Sequence, residues 1–371
     1  MNGLGTEARP LRVAIVGAGP SGFYTAEALF ESGAVGWVGL FERHVAPFGL
    51  VRTGVAPDHP KIQNVTHIFE RIAAEPRVTY FGNVHVGLDI SVAELRRHYD
   101  AVVFACGTET SQNLGIPGDD LPGVHTAGAF TGWYTGHPLY RYASFDLSHE
   151  VAVVVGIGNV AMDVVRTLCR SVDDLRTTDM PEEALDVLAS SRVREVHLVG
   201  RRGPAQAKFG PVELREMGEL ADYDCIVNPD EIALNPASAA ECERPNLRRM
   251  LDRLEEYAHR APSGKPKRFT FHFFRTPMRV VGDAHVSSVI FEKTALEGEP
   301  FHQEAHGTGE IERLDCGLVF SSIGFRGAPL PGIPFDTRRG RIPNIDGRIV
   351  EHNAPVPGCY VSGWAKTGPQ G

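Results

Sequence analysis

Cysteine is scarce in this sequence, and its spacing excludes several redox and metal centres. The 371 residues include six cysteines, and no two of them are three positions apart, so the chain has no CxxC pair. Iron–sulfur clusters, zinc ribbons and redox-active dithiols depend on closely spaced cysteines. We therefore expect none of these centres and no other metal. Scattered cysteines in a long chain fit a reducing compartment.

The chain also lacks long apolar runs and an apolar leader. No run is long enough to span a bilayer. The first ten residues, MNGLGTEARP, contain neither an apolar core nor an Arg- and Ser-rich amphipathic stretch. We therefore expect a cytoplasmic protein without membrane insertion. Its net charge of −9 argues against a nucleic-acid partner.

The length and the order of the apolar runs predict two domains of the α/β class. A chain of 371 residues is too long for one hydrophobic core. The pattern predicts a strand, a glycine-rich turn and a helix at residues 12–30, and it restarts with a strand at residues 151–155 that leads through a second turn to a helix ending at residue 169. We expect two Rossmann-like dinucleotide-binding domains with three layers and mainly parallel sheets.

The first glycine-rich turn has the features of a dinucleotide site, and its residues are Gly17, Ala18, Gly19, Pro20, Ser21 and Gly22. The first glycine permits the tight turn, the second lets a pyrophosphate approach, and the third lets the helix pack closely. Glu42 ends the next strand, where a carboxylate can accept hydrogen bonds from ribose hydroxyls and would repel a 2′-phosphate. The turn therefore predicts FAD or NAD, and the alternative is a glycine-rich turn without a ligand.

The second turn repeats this pattern with a different charge beside it, and its residues are Gly156, Ile157, Gly158, Asn159, Val160 and Ala161. Arg201 and Arg202 follow the next strand, where the first site has an acid. Guanidinium groups at this position suit a 2′-phosphate, and the alternative is a solvated surface pair. Together the two sites predict FAD at the first turn and NADP(H) at the second.

Longer segments, among them PFGLVRTGVAPDHP and VGRRGPAQAKF, resemble adrenodoxin reductase and the adrenodoxin-reductase-like bacterial ferredoxin–NADP reductases. The resemblance extends from about Arg12 to the last residue, and its most specific segments are PFGLVRTGVAPDHP, GIGNVAMDVVR, VGRRGPAQAKF and GWAKTGPQG. It implies that an NADP domain, residues 109–327, is inserted into a discontinuous FAD domain, residues 1–108 and 328–371. It also implies a ferredoxin–NADP reductase in which NADPH passes a hydride to flavin N5 and the flavin serves a one-electron iron–sulfur carrier.

The resemblance implies further site residues. The expected FAD contacts are Glu42, Leu50, Val84, Trp364 and Gly371. The expected NADP contacts are Gly158, Asn159, Val160, Ala161, Arg201, Arg202, Glu213 and Gly371. His59 and Asp163 match positions near the flavin for which a proton-handling role is expected, although Asp163 could equally have a structural role.

Two departures from the family pattern affect these expectations. Members of the family continue beyond the segment that ends here at Gly371, so we expect weakened FAD retention, and a partly active or non-catalytic nucleotide-binding module is the alternative function. Gln112 lies where relatives often have an arginine near the NADP adenosine, so some affinity for the 2′-phosphate is expected to be missing.

The expected partner is an acidic, ferredoxin-like protein, and the chain itself is expected to be a monomer. Because both proteins are negatively charged, association requires a local positive surface. The best candidates are Arg244, Arg248, Arg249 and Arg253, followed by Arg260, Lys265, Lys267 and Arg268. A solvated helix face is the alternative. Disulfide reductases and the small subunit of glutamate synthase are rival classes, but both require cysteine clusters that this sequence lacks.

Overall fold

The chain divides into two compact units in the computed structural model, which describes residues 3–369 without the side chain of Lys61. One unit combines both ends of the chain, Met1–Thr110 and Gly324–Gly371, and is called the outer unit here. The other, Ser111–Ile323, is called the inserted unit. The boundaries drawn from the sequence, 108/109 and 327/328, lie within a few residues of these divisions.

The first part of the outer unit alternates short strands and helices. Its elements are β1 (Leu11–Val16), α1 (Pro20–Glu31), β2 (Val35–Phe41), α2 (Leu50–Thr53), α3 (Pro60–Gln63), α4 (Thr66–Ala73), β3 (Val78–Phe81), α5 (Val92–His98), β4 (Ala101–Phe104) and β5 (Thr110–Ser111).

The inserted unit begins with strands and helices in alternation and continues with three long strands. Its elements are β6 (Val124–Thr126), α6 (Ala127–Tyr134), β7 (Val151–Val155), α7 (Asn159–Cys169), α8 (Val172–Leu175), α9 (Glu182–Ala189), β8 (Glu195–Val199), α10 (Pro211–Gly218), β9 (Tyr223–Val227), α11 (Pro236–Glu241), α12 (Pro245–His259), β10 (Lys267–His272), β11 (Arg275–Gly282), β12 (Val286–Glu297), β13 (Glu304–Asp315) and β14 (Leu318–Ser321). Short 3₁₀ helices cover Pro138–Tyr140, Pro204–Gln206 and Pro229–Glu231.

The chain then returns to the outer unit with β15 (Phe325–Arg326), β16 (Asn344–Ile345), β17 (Arg348–Glu351), β18 (Ala354–Val361) and α13 (Trp364–Thr367). These strands extend a sheet with the order β16-β17-β18-β4-β1-β2-β3. The strands from β18 to β3 are parallel, and β16 and β17 are antiparallel. Val13, Ala14, Ile15 and Val16 of the inner strand β1 are all buried, as expected when both faces of a parallel sheet are covered.

The main sheet of the inserted unit is also parallel, with the order β6-β14-β7-β8-β10-β9. The inserted unit also contains a separate antiparallel sheet with the order β11-β12-β13. Sequence analysis did not predict this sheet. The two parallel sheets with their helices confirm the predicted fold class of two Rossmann-like units.

Sequence analysis predicted a protein without membrane insertion, and the length and apolar character of the helices can be compared with that prediction. None of the helices described for residues 3–369 has the length and apolar character that crossing a bilayer requires.

Candidate functional site

The first glycine-rich turn leaves β1 at its carboxyl end and enters α1. Gly17 has φ of +107°, and a Cβ there would lie 2.5 Å from the carbonyl oxygen of Ala105. A Cβ at Gly22 would lie 2.1 Å from the carbonyl oxygen of Gly17. At Gly19, by contrast, the nearest atom would be 3.9 Å away. Two of the glycines are therefore required by the fold, and the third leaves open space at the turn.

The start of α1 offers backbone donors beside that space. Gly19 precedes the helix and provides no side-chain cap, and Pro20 occupies its first turn. The first N–H groups of a helix have no partner within the helix, and with the helix dipole they favour an anion. The turn thus has the properties that a pyrophosphate requires.

Glu42 directly follows β2 and is held against the turn. Its side chain is almost buried, with an exposed fraction of 8%. Oε2 accepts a hydrogen bond of 2.9 Å from the N–H of Ala18, and Oε1 accepts one of 3.0 Å from the N–H of His44. A carboxylate has about four acceptor positions, so two remain for ribose hydroxyls.

The other expected FAD residues lie along the same edge of this sheet. The N–H of Val84 donates to the carbonyl oxygen of Glu42 at 2.9 Å. The N–H of Phe48 donates to the carbonyl oxygen of Ala18 at 2.7 Å, which places the segment leading to Leu50 over the turn.

The residues that follow β18 contact the first turn of α1. Ser21 Oγ, in the first turn of α1, donates to Ser362 Oγ at 2.9 Å. A Cβ at Gly363 would lie 2.5 Å from Ser21 Oγ, so Trp364 begins α13 close to the start of α1. Gly371 lies outside the described residues.

Replacing Glu42 with alanine should release FAD and leave NADP(H) binding unchanged. The change removes charged hydrogen bonds worth about 1.5–3 kcal/mol each, which is roughly 10- to 150-fold in affinity. It also leaves the N–H groups of Ala18 and His44 without this acceptor, so the free energy of unfolding should fall by about 1–3 kcal/mol. The flavin-to-protein ratio after extensive dialysis measures the effect.

Glu75→Ala is the matched control, because this half-buried carboxylate pairs with Arg77 and belongs to neither turn. It should retain its flavin fully. If Glu42→Ala retained its flavin and instead bound 2′,5′-ADP more weakly, the two nucleotide sites would have been exchanged.

The second glycine-rich turn connects β7 to α7 in the inserted unit. Gly156 has φ of +132°, and a Cβ there would lie 2.1 Å from the carbonyl oxygen of Ser322. A Cβ at Gly158 would meet no atom within 4 Å. α7 begins at Asn159 without a side-chain cap, and Ala161 is fully buried. This turn therefore reproduces the arrangement of the first one.

The backbone after β8 fixes the two arginines next to this turn. The N–H of Gly200 donates to the carbonyl oxygen of His272 at 2.8 Å. Thr294 Oγ1 donates to the carbonyl oxygen of Arg201 at 2.7 Å, and the N–H of Phe274 donates to that of Arg202 at 3.3 Å. The side chain of Arg201 is exposed and that of Arg202 is half-buried. Burial and, next, the charge of Arg201 lower the pKa of Arg202, while Glu241 opposes the shift.

A cavity of about 290 Å³ adjoins Arg202. Lys208 and Arg244 also line it, and the Arg244 guanidinium lies 4.0 Å from the centroid of the Phe301 ring. A positively charged wall of this kind suits an anion. Of the lining residues, sequence analysis assigned only Arg202 to the NADP site and counted Arg244 with the basic stretch that follows it.

Glu241 also lines the cavity and accepts hydrogen bonds from three other lining residues. Its exposed fraction is 3%. Oε1 accepts hydrogen bonds of 2.8 Å from Gln303 Nε2 and from the N–H of Phe301, and Oε2 accepts one of 2.9 Å from Gln206 Nε2. These bonds fix the Phe301 ring under Arg244 and keep a buried negative charge near Arg202.

Comparison with known proteins identifies the family. No model of a known protein family matches the chain. The mitochondrial NADPH:adrenodoxin oxidoreductase of Bos taurus is 42% identical over 99% of the chain and 76% of its own length. NADPH-ferredoxin reductase FprA of Mycobacterium tuberculosis strain H37Rv is 41% identical over 98% of the chain and 80% of its own length. The chain belongs to the adrenodoxin reductase and NADPH–ferredoxin reductase family.

A solved structure of this family agrees with the fold. The structure of Mycobacterium tuberculosis FprA in complex with NADPH superposes with a TM-score of 0.93 and covers 98% of the chain and 80% of its own. The resemblance stated from the sequence motifs is thereby confirmed.

Within this reductase fold, Asp163 and His59 have well-defined local contacts. Asp163 Oδ1 accepts a 2.6 Å hydrogen bond from Arg166 Nη2, and both side chains are buried. Arg166 Nη1 also lies 3.7 Å from Glu216 Oε2. His59 precedes α3, and its N–H donates to the carbonyl oxygen of Ala56 at 2.9 Å. Proton handling by His59 and Asp163 stays a prediction, and so does the structural alternative for Asp163.

Two further expectations concern Glu213 and Gln112. Glu213 lies in the first turn of α10, and its Oε2 would be 2.5 Å from a Cβ at Gly210. The carbonyl oxygen of Gln112 accepts a hydrogen bond of 2.7 Å from Ser321 Oγ. The contact of Glu213 with NADP and the missing 2′-phosphate affinity at Gln112 stay predictions.

Both sites fit the nucleotides that the reductase family implies. Each turn has an uncapped helix start and a glycine where a side chain would occupy the free space. The first site adds a nearly buried carboxylate for a ribose, and the second adds guanidinium groups for a 2′-phosphate. The donor sets match FAD in the outer unit and NADP(H) in the inserted unit.

Proposed function

We propose that this chain is an FAD-dependent oxidoreductase that transfers electrons between NADPH and a one-electron iron–sulfur protein. The observation that carries the proposal is the opposite charge of the two glycine turns, with Glu42 at the first and Arg201 and Arg202 at the second. Relatives that are 41–42% identical are named as NADPH-dependent reductases of adrenodoxin or ferredoxin.

The protein contributes binding and position to this reaction. A bound flavin accepts electrons in pairs and releases them singly, so it can couple the two carriers. The carboxylate of Glu42 holds the adenosine ribose of FAD, and the starts of α1 and α7 hold the two pyrophosphates. The paired arginines bind the 2′-phosphate and thereby select NADPH over NADH.

The cavity beside Arg202 extends this specificity. Arg244 and Lys208 add positive charge close to Arg202, and a relative with the same fold is known in complex with NADPH. We infer that Arg244 belongs to the 2′-phosphate site, where it offsets the absence of an arginine at Gln112. Arg244 therefore serves the cofactor in this proposal and not the docking of a protein partner.

Enzyme assays of the purified chain test the proposed function. We expect the visible spectrum of an oxidised flavin, bleaching by NADPH, and NADPH-dependent reduction of both ferricyanide and a ferredoxin. A flavin that is bound but not reduced by NADPH would favour the alternative, a non-catalytic nucleotide-binding module. Reduction of ferricyanide without reduction of any ferredoxin would retain the enzyme and reject the partner.

We further propose that the partner docks on α12. This segment forms a helix of 15 residues, and Arg248, Arg249 and Arg253 are exposed or nearly so. Arg248 pairs with Asp252 at 2.9 Å, and Arg253 pairs with Glu256 at 3.0 Å. These pairs are surface contacts of low energy, so an acidic partner can compete for both arginines.

Arg249 differs from Arg248 and Arg253, because the acceptors of its hydrogen bonds are uncharged. Its Nη2 donates to Asn246 Oδ1 at 2.5 Å, and its Nε donates to the carbonyl oxygen of Pro245 at 3.3 Å. Neither acceptor is charged, so the positive charge of Arg249 is available to a partner. A monomeric state and a cytoplasmic location stay predictions.

A further inference from the structure

A cluster of two histidines and an aspartate lies in the inserted unit, outside the residues assigned to the nucleotide sites. Asp146, His149 and His285 each place one donor atom within 4.8 Å of the other two. His149 Nε2 is 3.8 Å from Asp146 Oδ2. Two imidazoles and a carboxylate are a donor set that suits Zn²⁺ and similar first-row divalent cations.

The two imidazoles are held in a defined arrangement. Their ring centroids are 4.5 Å apart and the ring planes differ by 26°. His285 Nδ1 lies 3.1 Å from the carbonyl oxygen of Val286. With its hydrogen on Nδ1, His285 donates this hydrogen bond and keeps a lone pair on Nε2. Metal-binding histidines are commonly oriented by such a bond on the other nitrogen.

Two glycines make room for these rings. A Cβ at Gly123 would lie 2.4 Å from Cε1 of His285, and a Cβ at Gly317 would lie 2.3 Å from Cγ of His149. Contacts this short would displace either ring. Each histidine therefore packs on backbone that has no side chain, and its position depends on that glycine.

The carboxylate of Asp146 is exposed, and one of its oxygens accepts a backbone hydrogen bond. The N–H of Ser148 donates to Asp146 Oδ1 at 3.0 Å. Oδ2 takes no part in that N–H bond. The side chain of Asp146 is 62% exposed, so it can rotate toward the imidazoles.

We propose that Asp146, His149 and His285 form a binding site for one divalent cation of the zinc type. Zinc binds histidine nitrogen at about 2.0–2.1 Å, so the donors must approach slightly, which the exposed aspartate permits, and water completes the coordination. The ion would join the loop before β7 to the turn between β11 and β12. Because these segments are far apart in sequence, binding should stabilise the folded inserted unit.

Calorimetric titration of the flavin-containing chain with ZnCl₂, after EDTA treatment, tests the site. We expect one zinc per chain and a rise in Tm that depends on zinc concentration. His149→Gln and His285→Gln should each lower the affinity at least about tenfold and remove the Tm rise. His306→Gln, an exposed histidine of β13, is the matched control and should bind zinc like the wild type.

Two further measurements keep the proposal falsifiable if a histidine variant fails to fold. Gly317→Ala retains all three donors but displaces His149, so it should also weaken zinc binding. X-ray absorption of the zinc-loaded wild type should show imidazole nitrogen and oxygen near 2.0–2.1 Å. Sulfur at about 2.3 Å would place the metal on cysteine. That result, no zinc bound at millimolar concentration, or equal binding by both histidine variants would overturn the proposal.

Discussion

Replacing Arg201 and Arg202 together with alanine should raise the KM for NADPH by at least about 100-fold and leave the KM for NADH almost unchanged. Each lost charged hydrogen bond to the 2′-phosphate costs about 1.5–3 kcal/mol, which is roughly 10- to 150-fold in affinity. NADH has a hydroxyl at that position and makes no such bond. Steady-state reduction of ferricyanide with each cofactor measures the effect.

A binding assay separates recognition from catalysis in this experiment. The double variant should lose affinity for 2′,5′-ADP and retain its affinity for 5′-AMP, because only the first ligand has the 2′-phosphate. Replacing Arg279 and Arg313 with alanine is the matched control, since both are exposed arginines of the antiparallel sheet. Equal losses with NADPH and NADH would show that Arg201 and Arg202 serve the fold rather than the 2′-phosphate.

The local parts of the two sites were predictable from the sequence because their requirements are local. Gly17 and Gly156 adopt backbone conformations that disfavour other residues, and both would clash with neighbouring backbone if they had a Cβ. The predicted strand at residues 151–155 has the same bounds as β7. A turn of this type encodes its own geometry within a few residues, so the pattern of glycines identifies it.

The parts that were missed depend on contacts between distant residues. The strands β11, β12 and β13 pair only with one another, and the exposed residues of β13 give no apolar alternation that predicts a strand. The cavity beside Arg202 depends on Glu241, which is buried by bonds from Gln206 and Gln303. A single sequence does not reveal that these three polar residues meet.

The assignment of Arg244 also depends on a contact between residues that are distant in the sequence. In the sequence it is the first member of a run of basic residues, and a common role for the run is the simplest interpretation. In the structure it precedes the first residue of α12 and stacks on Phe301 beside the cavity that adjoins Arg202, while the later arginines lie along the helix. Adjacent charges in a sequence can therefore belong to separate surfaces.

Reversing the charge of Arg248, Arg249 and Arg253 to glutamate should abolish ferredoxin-dependent cytochrome reduction and leave ferricyanide reduction intact. The substitutions turn the positive face of α12 negative and leave Asp252 without its arginine partner, while Glu256 loses Arg253 and keeps its ion pair with Arg260. An acidic ferredoxin would then be repelled, whereas ferricyanide needs no docking surface. In the wild type, the rate with ferredoxin should fall steeply as ionic strength passes about 0.1 M, where the Debye length is about 10 Å.

Two comparisons make the docking test specific to this face of α12. Charge reversal places like charges four residues apart on α12, and each such pair destabilises a helix by about 0.2–0.5 kcal/mol. A variant with glutamine at the same three positions removes the positive charge without creating these pairs, so it measures the effect of lost charge alone. Reversing Arg192, Arg279 and Arg313, which are exposed arginines on other segments, changes the net charge equally and should reduce the ferredoxin rate only slightly. If this control and the α12 variant were equally slow, bulk charge would explain the loss. A normal rate and salt dependence in the α12 variant would place the docking surface elsewhere.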